Sequence, residues 1–181
     1  AYMHTYPDAH PVVAFEDVRV PAANLIGGEG DGLAFTYEWF RYERLMIAAR
    51  CCGAAERLID EATAFAKGRV QFDHPIFEFQ AIQHSLALAA EEIAACTAIT
   101  DLALACAVHE GISAARMAAL LDAAAVVADH AVDVVYDICH QVHGAIGFTR
   151  EYALHRHSLD LLRWRDDLLL LRGGELRAAE R

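Results

Sequence analysis

Residues 79–107 read FQAIQHSLALAAEEIAACTAITDLALACA. Phe79, Ile82, Leu86, Ala89, Ile93, Cys96, Thr100, Ala103 and Ala107 recur at alternating spacings of three and four. That rhythm belongs to a helix buried along a seam against other helices, and here it narrows to small residues at its far end. Working outward, Pro75 suits the first turn of this helix, which is expected to run from about Pro75 to His109. Upstream, a helical pattern runs from Asp31 to about Lys67 and closes on Gly68. Downstream, Gly111 punctuates the chain and Ser113 is placed to cap a third helix reaching about Val142. Asp122, Asp129, Asp133, Asp137 and His140 make one narrow polar stripe on it, so most of its circumference is expected to be buried. A fourth helical stretch runs from about Tyr152 to the end. Long helices joined by short turns predict an all-α, antiparallel four-helix bundle over residues 31–181.

Residues 1–30 differ. VVAFEDVRVP (12–21) is rich in β-branched residues and ends on proline, which predicts one strand leaving a sheet, and AANLIGGEGDG supplies the glycines of a loop. A lone strand is not stable in water. The expectation is a short β-strand remnant, residues 1–30 being the end of a β domain in a larger protein.

Composition limits the function. A formal charge of −11 argues against a nucleic-acid backbone as main partner. No apolar run approaches the length of a membrane span, and no secretory leader is visible. The five cysteines lie in helical pattern among alanines, as buried reduced thiols of a cytoplasmic protein do. No Glu-x-x-His occurs, and Cys139, His140 and His143 have no fourth ligand placed with them, so no metal is expected.

Three places ask for more than a fold. Glu43, in FRYERLMIAAR, has Trp39, Phe40, Met46 and Ile47 as helix-face neighbours. A carboxylate fenced by apolar groups suits proton abstraction near neutral pH; the plainer reading is that Glu43 pairs with a basic residue or reaches solvent from the end of the apolar patch. In GRVQFDHPIFEFQAIQ (68–83), Arg69 at a tight corner is placed to hold phosphate, with Phe72 offering a flat face; an exposed arginine and a corner-filling phenylalanine are the plainer reading. In QVHGAIGFTRE (141–151), Gln141 and His143 stand at a helix end beside Gly144 and Gly147. One glycine suffices to stop a helix; two beside an amide suggest a ligand laid against the backbone.

In order, FEDVRVPAANLIG, YERLMIAA, RVQFDHPIFEFQAIQHSLA and QVHGAIGFTREYALHR resemble the acyl-CoA dehydrogenase family over residues 12 to about 166. The resemblance implies a flavoprotein whose C-terminal bundle contributes Arg69, Phe72, Gln141, Gly144 and Gly147 to FAD. Asp73 and Ala145 stand where the family usually has glycine. Most members carry the catalytic glutamate late in the chain, where this sequence reads DLLL (167–170) or, one slip onward, places Arg172. The isovaleryl- and long-chain-type members carry it in an L-E-R-L-like pattern on the first bundle helix, and YERL puts Glu43 there, with Asp167 as fallback. Arg44 is then the expected substrate contact. The implied reaction is α,β-dehydrogenation of an acyl-CoA thioester, with electrons passing to an electron-transferring flavoprotein, in a homo-oligomer (dimer or tetramer). A non-catalytic partner subunit and a flavin monooxygenase are the rival readings. The piece alone is expected to be inactive and to hold FAD weakly.

Overall fold

The computed structural model describes residues 12–109 and 111–179, with side chains described through residue 169. Four long helices dominate: α1 (Gly32–Gly68), α2 (Gln80–Ala107), α3 (Ala114–His143) and α4 (Leu154–Ala179). Arg172 lies where side chains are not described. Among the described residues no helix is long and apolar enough to cross a membrane.

The seam of α2 behaves as its spacing predicts: Leu86, Ala89, Ile93, Cys96, Thr100 and Ala103 are all buried. Leu86, Ala89, Ile93 and Cys96 join a core of mostly small side chains, with Ala48, Cys51, Ala55, Leu58 and Ala62 from α1 and Ala125, Ala128, Val132, Val135 and Cys139 from α3, while Ala103 packs in a second cluster with Leu45 and Leu121. Small residues on both sides let the backbones approach closely, so close packing is obtained with few large side chains. α1 touches all three other helices and α3 does likewise, so these two form the contacting diagonal of the bundle. On α4 the buried register runs Leu154, Ser158, Leu161 and Leu168, and its vacant step is filled by Arg165. Arg165 reaches across to Asp133 on α3, with Asp129 at 3.8 Å.

Ser113 caps α3 as expected, its Oγ accepting from the Arg116 N–H at 3.2 Å. The exposed ridge of α3 is narrow and includes His130, Asp133 and Asp137. His140, expected on that polar stripe, is instead buried. Phe148 and Tyr136 cover its ring, at 4.5 and 4.3 Å between centroids, and this packing outweighs its polarity.

Two other expectations change. α2 starts at Gln80, not Pro75. Residues 70–71 (β1) and 74–75 (β2) pair as a minimal antiparallel hairpin, Val70 opposite Pro75 and Gln71 opposite His74. The ladder holds Pro75 extended, and a 3-10 turn at Ile76–Glu78 intervenes before the helix. The hairpin turn is Phe72–Asp73, with φ of 55° and 67°. That is the left-handed region a two-residue hairpin demands, normally met by Asn-Gly or Gly-Gly. Residues 12–21, expected as a strand, are exposed and carry no ladder among the described residues. A strand is a hydrogen-bonding relation, and its partner has to be present for the ladder to exist.

Arg44 on α1 is among the largest fully buried side chains, and its Nη2 lies 2.6 Å from Asp122 Oδ1 on α3. A buried guanidinium that loses an acceptor keeps its desolvation cost, whereas Asp122 is partly exposed and loses less. Asp122→Asn is therefore expected to lower unfolding free energy by about 1–3 kcal/mol, read as a lower urea midpoint at unchanged slope.

Candidate functional site

Two corners of the chain meet at one end of the bundle. The first follows α1: Gly68 ends the helix, Arg69 turns extended with its N–H on Phe65 O at 2.9 Å, and Arg69 O accepts from Ile76 N–H at 2.8 Å. The second follows α3, where Gly144 has φ 63° and ψ −146° and its N–H returns to the carbonyls of Gln141 and His140. Between the corners lies a cavity of about 400 Å³. Arg69, Gln71, Gln141, Gly144 and Ala145 contribute its polar and backbone walls, and Phe65, Ile76 and His143 are among its other walls. Arg69 and Gln141, 72 positions apart in sequence, therefore address one space.

An aromatic knot fixes the corners relative to each other. The His143 ring stacks on Phe65 of α1 with centroids 4.4 Å apart, and Tyr152 closes on both at 4.9 and 5.9 Å. His143 Nδ1 bonds to Cys139 O at 2.7 Å, which makes Nδ1 the protonated nitrogen. Its Nε2 is buried, with no hydrogen-bond partner found among the described residues.

The helix ends that frame this cavity expose carbonyl oxygens and carry the negative end of the helix dipole. A negatively charged ligand would be repelled there without a cation. Arg69 supplies one: its side chain is exposed at the cavity and no ion pair to it is found among the described residues. Asp73, in the hairpin turn, does not line the cavity. An unpaired guanidinium, an exposed amide and an open glycine fit an anionic, hydrogen-bonding ligand such as a diphosphate.

The two glycines of the stretch serve different ends. A Cβ on Gly144 would meet nothing within 4 Å, so the left-handed φ is what requires glycine there, and its face is left open. A Cβ on Gly147 would lie 2.9 Å from His143 Cβ and 3.2 Å from Leu154 Cδ2. Gly147 is buried in the 3-10 turn and does not border the cavity; it lets that turn pack on the helix end. Phe72 also stands outside the cavity, 86% exposed at the hairpin tip with its ring edge toward Phe79.

The remaining residues lie elsewhere. Glu43 is partly buried on α1, its Oε1 3.6 Å from Arg50 Nη1, and does not border this cavity. Its expected apolar fence is open in this chain, with Trp39 59% and Met46 51% exposed. Arg44, next to it, faces the interior and Asp122. Asp167 on α4 lies 3.9 Å from Arg163. No group of three or more metal-ligating side chains is found among the described residues. Phe65 escaped the sequence reading, since its three-residue spacing from the buried Ala62 marks it only as core.

Residues 30–165 match the family model for the acyl-CoA dehydrogenase C-terminal domain. The short-chain specific acyl-CoA dehydrogenase of Megasphaera elsdenii is 34% identical over 148 residues, 82% of this chain and 38% of that protein. The mitochondrial long-chain specific acyl-CoA dehydrogenase of Sus scrofa is 33% identical over 151 residues, 81% of this chain and 33% of that protein. The solved butyryl-CoA dehydrogenase from Megasphaera elsdenii superposes with a TM-score of 0.76 at 31% identity, covering 90% of this chain and 43% of that one. The chain thus spans well under half the length of these relatives.

Gly147→Ala is expected to cost about 1–3 kcal/mol through overpacking. Gly144→Ala should cost about 1–2 kcal/mol through backbone strain with no steric clash. Thermal melts of the two variants measure both.

A pH dependence follows from His140, whose pKa is held below the ordinary 6.5 by burial first and by neighbouring His143 second, with Asp137 opposing. The folded state resists protonation while the unfolded chain accepts it. Stability is therefore full above the unfolded value and falls as pH drops through 6.5 toward the lowered folded value. Urea midpoints across that window should fall more steeply in wild type than in His140→Phe.

Proposed function

The chain belongs to the acyl-CoA dehydrogenase family, and on that premise we propose that the protein carrying it performs flavin-dependent α,β-dehydrogenation of an acyl-CoA thioester. The observation that carries this reading is the cavity shared by Arg69, Gln141 and Gly144, residues of two motifs far apart in sequence. FAD is the ligand this cavity suits, and when bound it would supply the two-electron acceptor. The chain's own part at this end is to hold the cofactor's anionic portion. Arg69 offsets the charge with a planar fork of N–H donors, Gln141 adds an amide, and Gly144 leaves room for close approach. Phe72, held out on the strained hairpin tip, offers an aromatic face to whatever lies across the corner, and Gly147 keeps the second corner compact.

Glu43 is the proposed base, its carboxylate taking the α-proton of the thioester. Its support is the YERL pattern together with its position on an outward stretch of α1 where Phe35, Trp39 and Met46 are exposed and available to a covering surface. Arg44 acts from inside the bundle, its ion pair with Asp122 holding the helix that presents Glu43. Electron-transferring flavoprotein is the proposed acceptor of the electrons. Self-association is part of the same reading, with Leu88, Leu102 and Leu104 on α2 and Val126 on α3 offering apolar surface.

In the complete protein loaded with FAD, Glu43→Gln should slow bleaching of the flavin absorbance by acyl-CoA about 10²–10⁴-fold while leaving thioester binding little changed. Asp167→Asn should have a much smaller effect. The reverse ranking would move the base to Asp167. A wild type whose flavin no acyl-CoA reduces would instead make this a non-catalytic subunit.

A further inference from the structure

We propose that Cys52 and Cys96 form a redox-active dithiol, oxidised by hydrogen peroxide to a disulfide that ties α1 to α2 inside the bundle. The two residues are 44 positions apart in sequence, yet their Sγ atoms are 3.5 Å apart. A disulfide bond is about 2.05 Å long, so bond formation asks the two sulfurs to close by a further distance of about 1.5 Å. Both residues are buried, Cys52 7% exposed and Cys96 fully enclosed, so the attacking peroxide meets Cys52 first.

The pair is chemically asymmetric. Cys96 at 3.5 Å and the Thr100 hydroxyl at 3.7 Å can both donate to a thiolate on Cys52, which favours ionisation of Cys52 against the cost of burial. The same bond raises the pKa of Cys96. Cys51 and Cys139, by contrast, are pushed up to about 12, chiefly by burial, and neither makes a thiol–thiol hydrogen bond among those found in the described residues. Nucleophilic thiols are those with thiolate character, so the reaction is directed to Cys52.

The steps balance. The Cys52 thiolate attacks the peroxide oxygen, forming an S–O bond and breaking O–O; the departing hydroxide recovers the thiol's proton as water. The Cys96 sulfur then attacks the sulfenic sulfur, forming S–S and breaking S–O, and its proton leaves with the second hydroxide as water. Two thiols are oxidised and one peroxide is reduced to two waters. The resulting loop contains Arg69 and the hairpin, so oxidation would restrain the spacing of α1 and α2 that sets this corner.

The test treats the full chain, kept folded, with hydrogen peroxide, then quenches, unfolds and titrates thiols. The expected result is loss of two of the five thiols, a Cys52–Cys96 peptide in the non-reducing digest, and a higher melting temperature that a reductant reverses. Cys96→Ser should trap a dimedone-reactive sulfenic acid at Cys52, and Cys52→Ser should leave Cys96 unmodified. Retention of all five thiols under a peroxide excess that oxidises free cysteine overturns the proposal. So does a wild-type disulfide that uses Cys51, Cys106 or Cys139, and this readout depends on no variant folding.

Discussion

The close packing of α1 against α3 is the contact on which the rest of the molecule depends. Alternate helices of an antiparallel bundle run in the same direction, so α1 and α3 finish side by side. Their facing residues are largely alanine, cysteine and valine, which brings the axes near enough for Phe65 to stack on His143 where they end. The cavity exists because two helices stop at one level and each chain then turns away. Toward the other end the same two helices are joined by the Arg44–Asp122 ion pair, so the diagonal is held by apolar packing along its length and by charge near its start.

Placing two helix C-termini together has an electrostatic consequence. Carbonyl oxygens without helical partners gather at the cavity, and their partial negative charge repels an anion. The glycine cap at Gly144 turns some of that inward by satisfying the carbonyls of Gln141 and His140 with its own N–H. Arg69, one residue past the end of α1, puts a full positive charge where the partial negative ones converge. The hairpin that follows spends backbone strain at Phe72 and Asp73 to hold the corner tight. Such strain persists only where neighbouring structure enforces it, here the Val70–Pro75 ladder and the bond from Ile76 N–H to Arg69 O.

The charged groups of the bundle separate into two kinds. Arg44 and Arg165 work between helices, each crossing to aspartates of α3, so the polar stripe of that helix is partly a set of anchors for its neighbours. Glu43 and Arg50 instead approach each other along α1 itself. Two adjacent residues, Glu43 and Arg44, thus meet different surroundings, as a 100° step around a helix allows.

The sequence by itself determined the four helices, the burial of the α2 seam, the Ser113 cap and the bundle class, because helical periodicity and capping are properties of one segment read alone. It also marked Arg69, Gln141 and Gly144 as residues of interest, through a helix stop, a charge at a corner and a glycine beside an amide. Only the tertiary structure decided that these three share one cavity, since no spacing along a chain states which corners coincide. Phe65, His140 and the Cys52–Cys96 contact were illegible for the same reason: each acquires its role from a partner on another helix or past a turn. The late start of α2 was hidden by Pro75, which suits a helix start and an edge strand equally until the opposite strand is seen to be Val70. Gly144 and Gly147 look alike in sequence, and the structure separates them because one is required by its own backbone angle and the other by the nearness of His143 and Leu154.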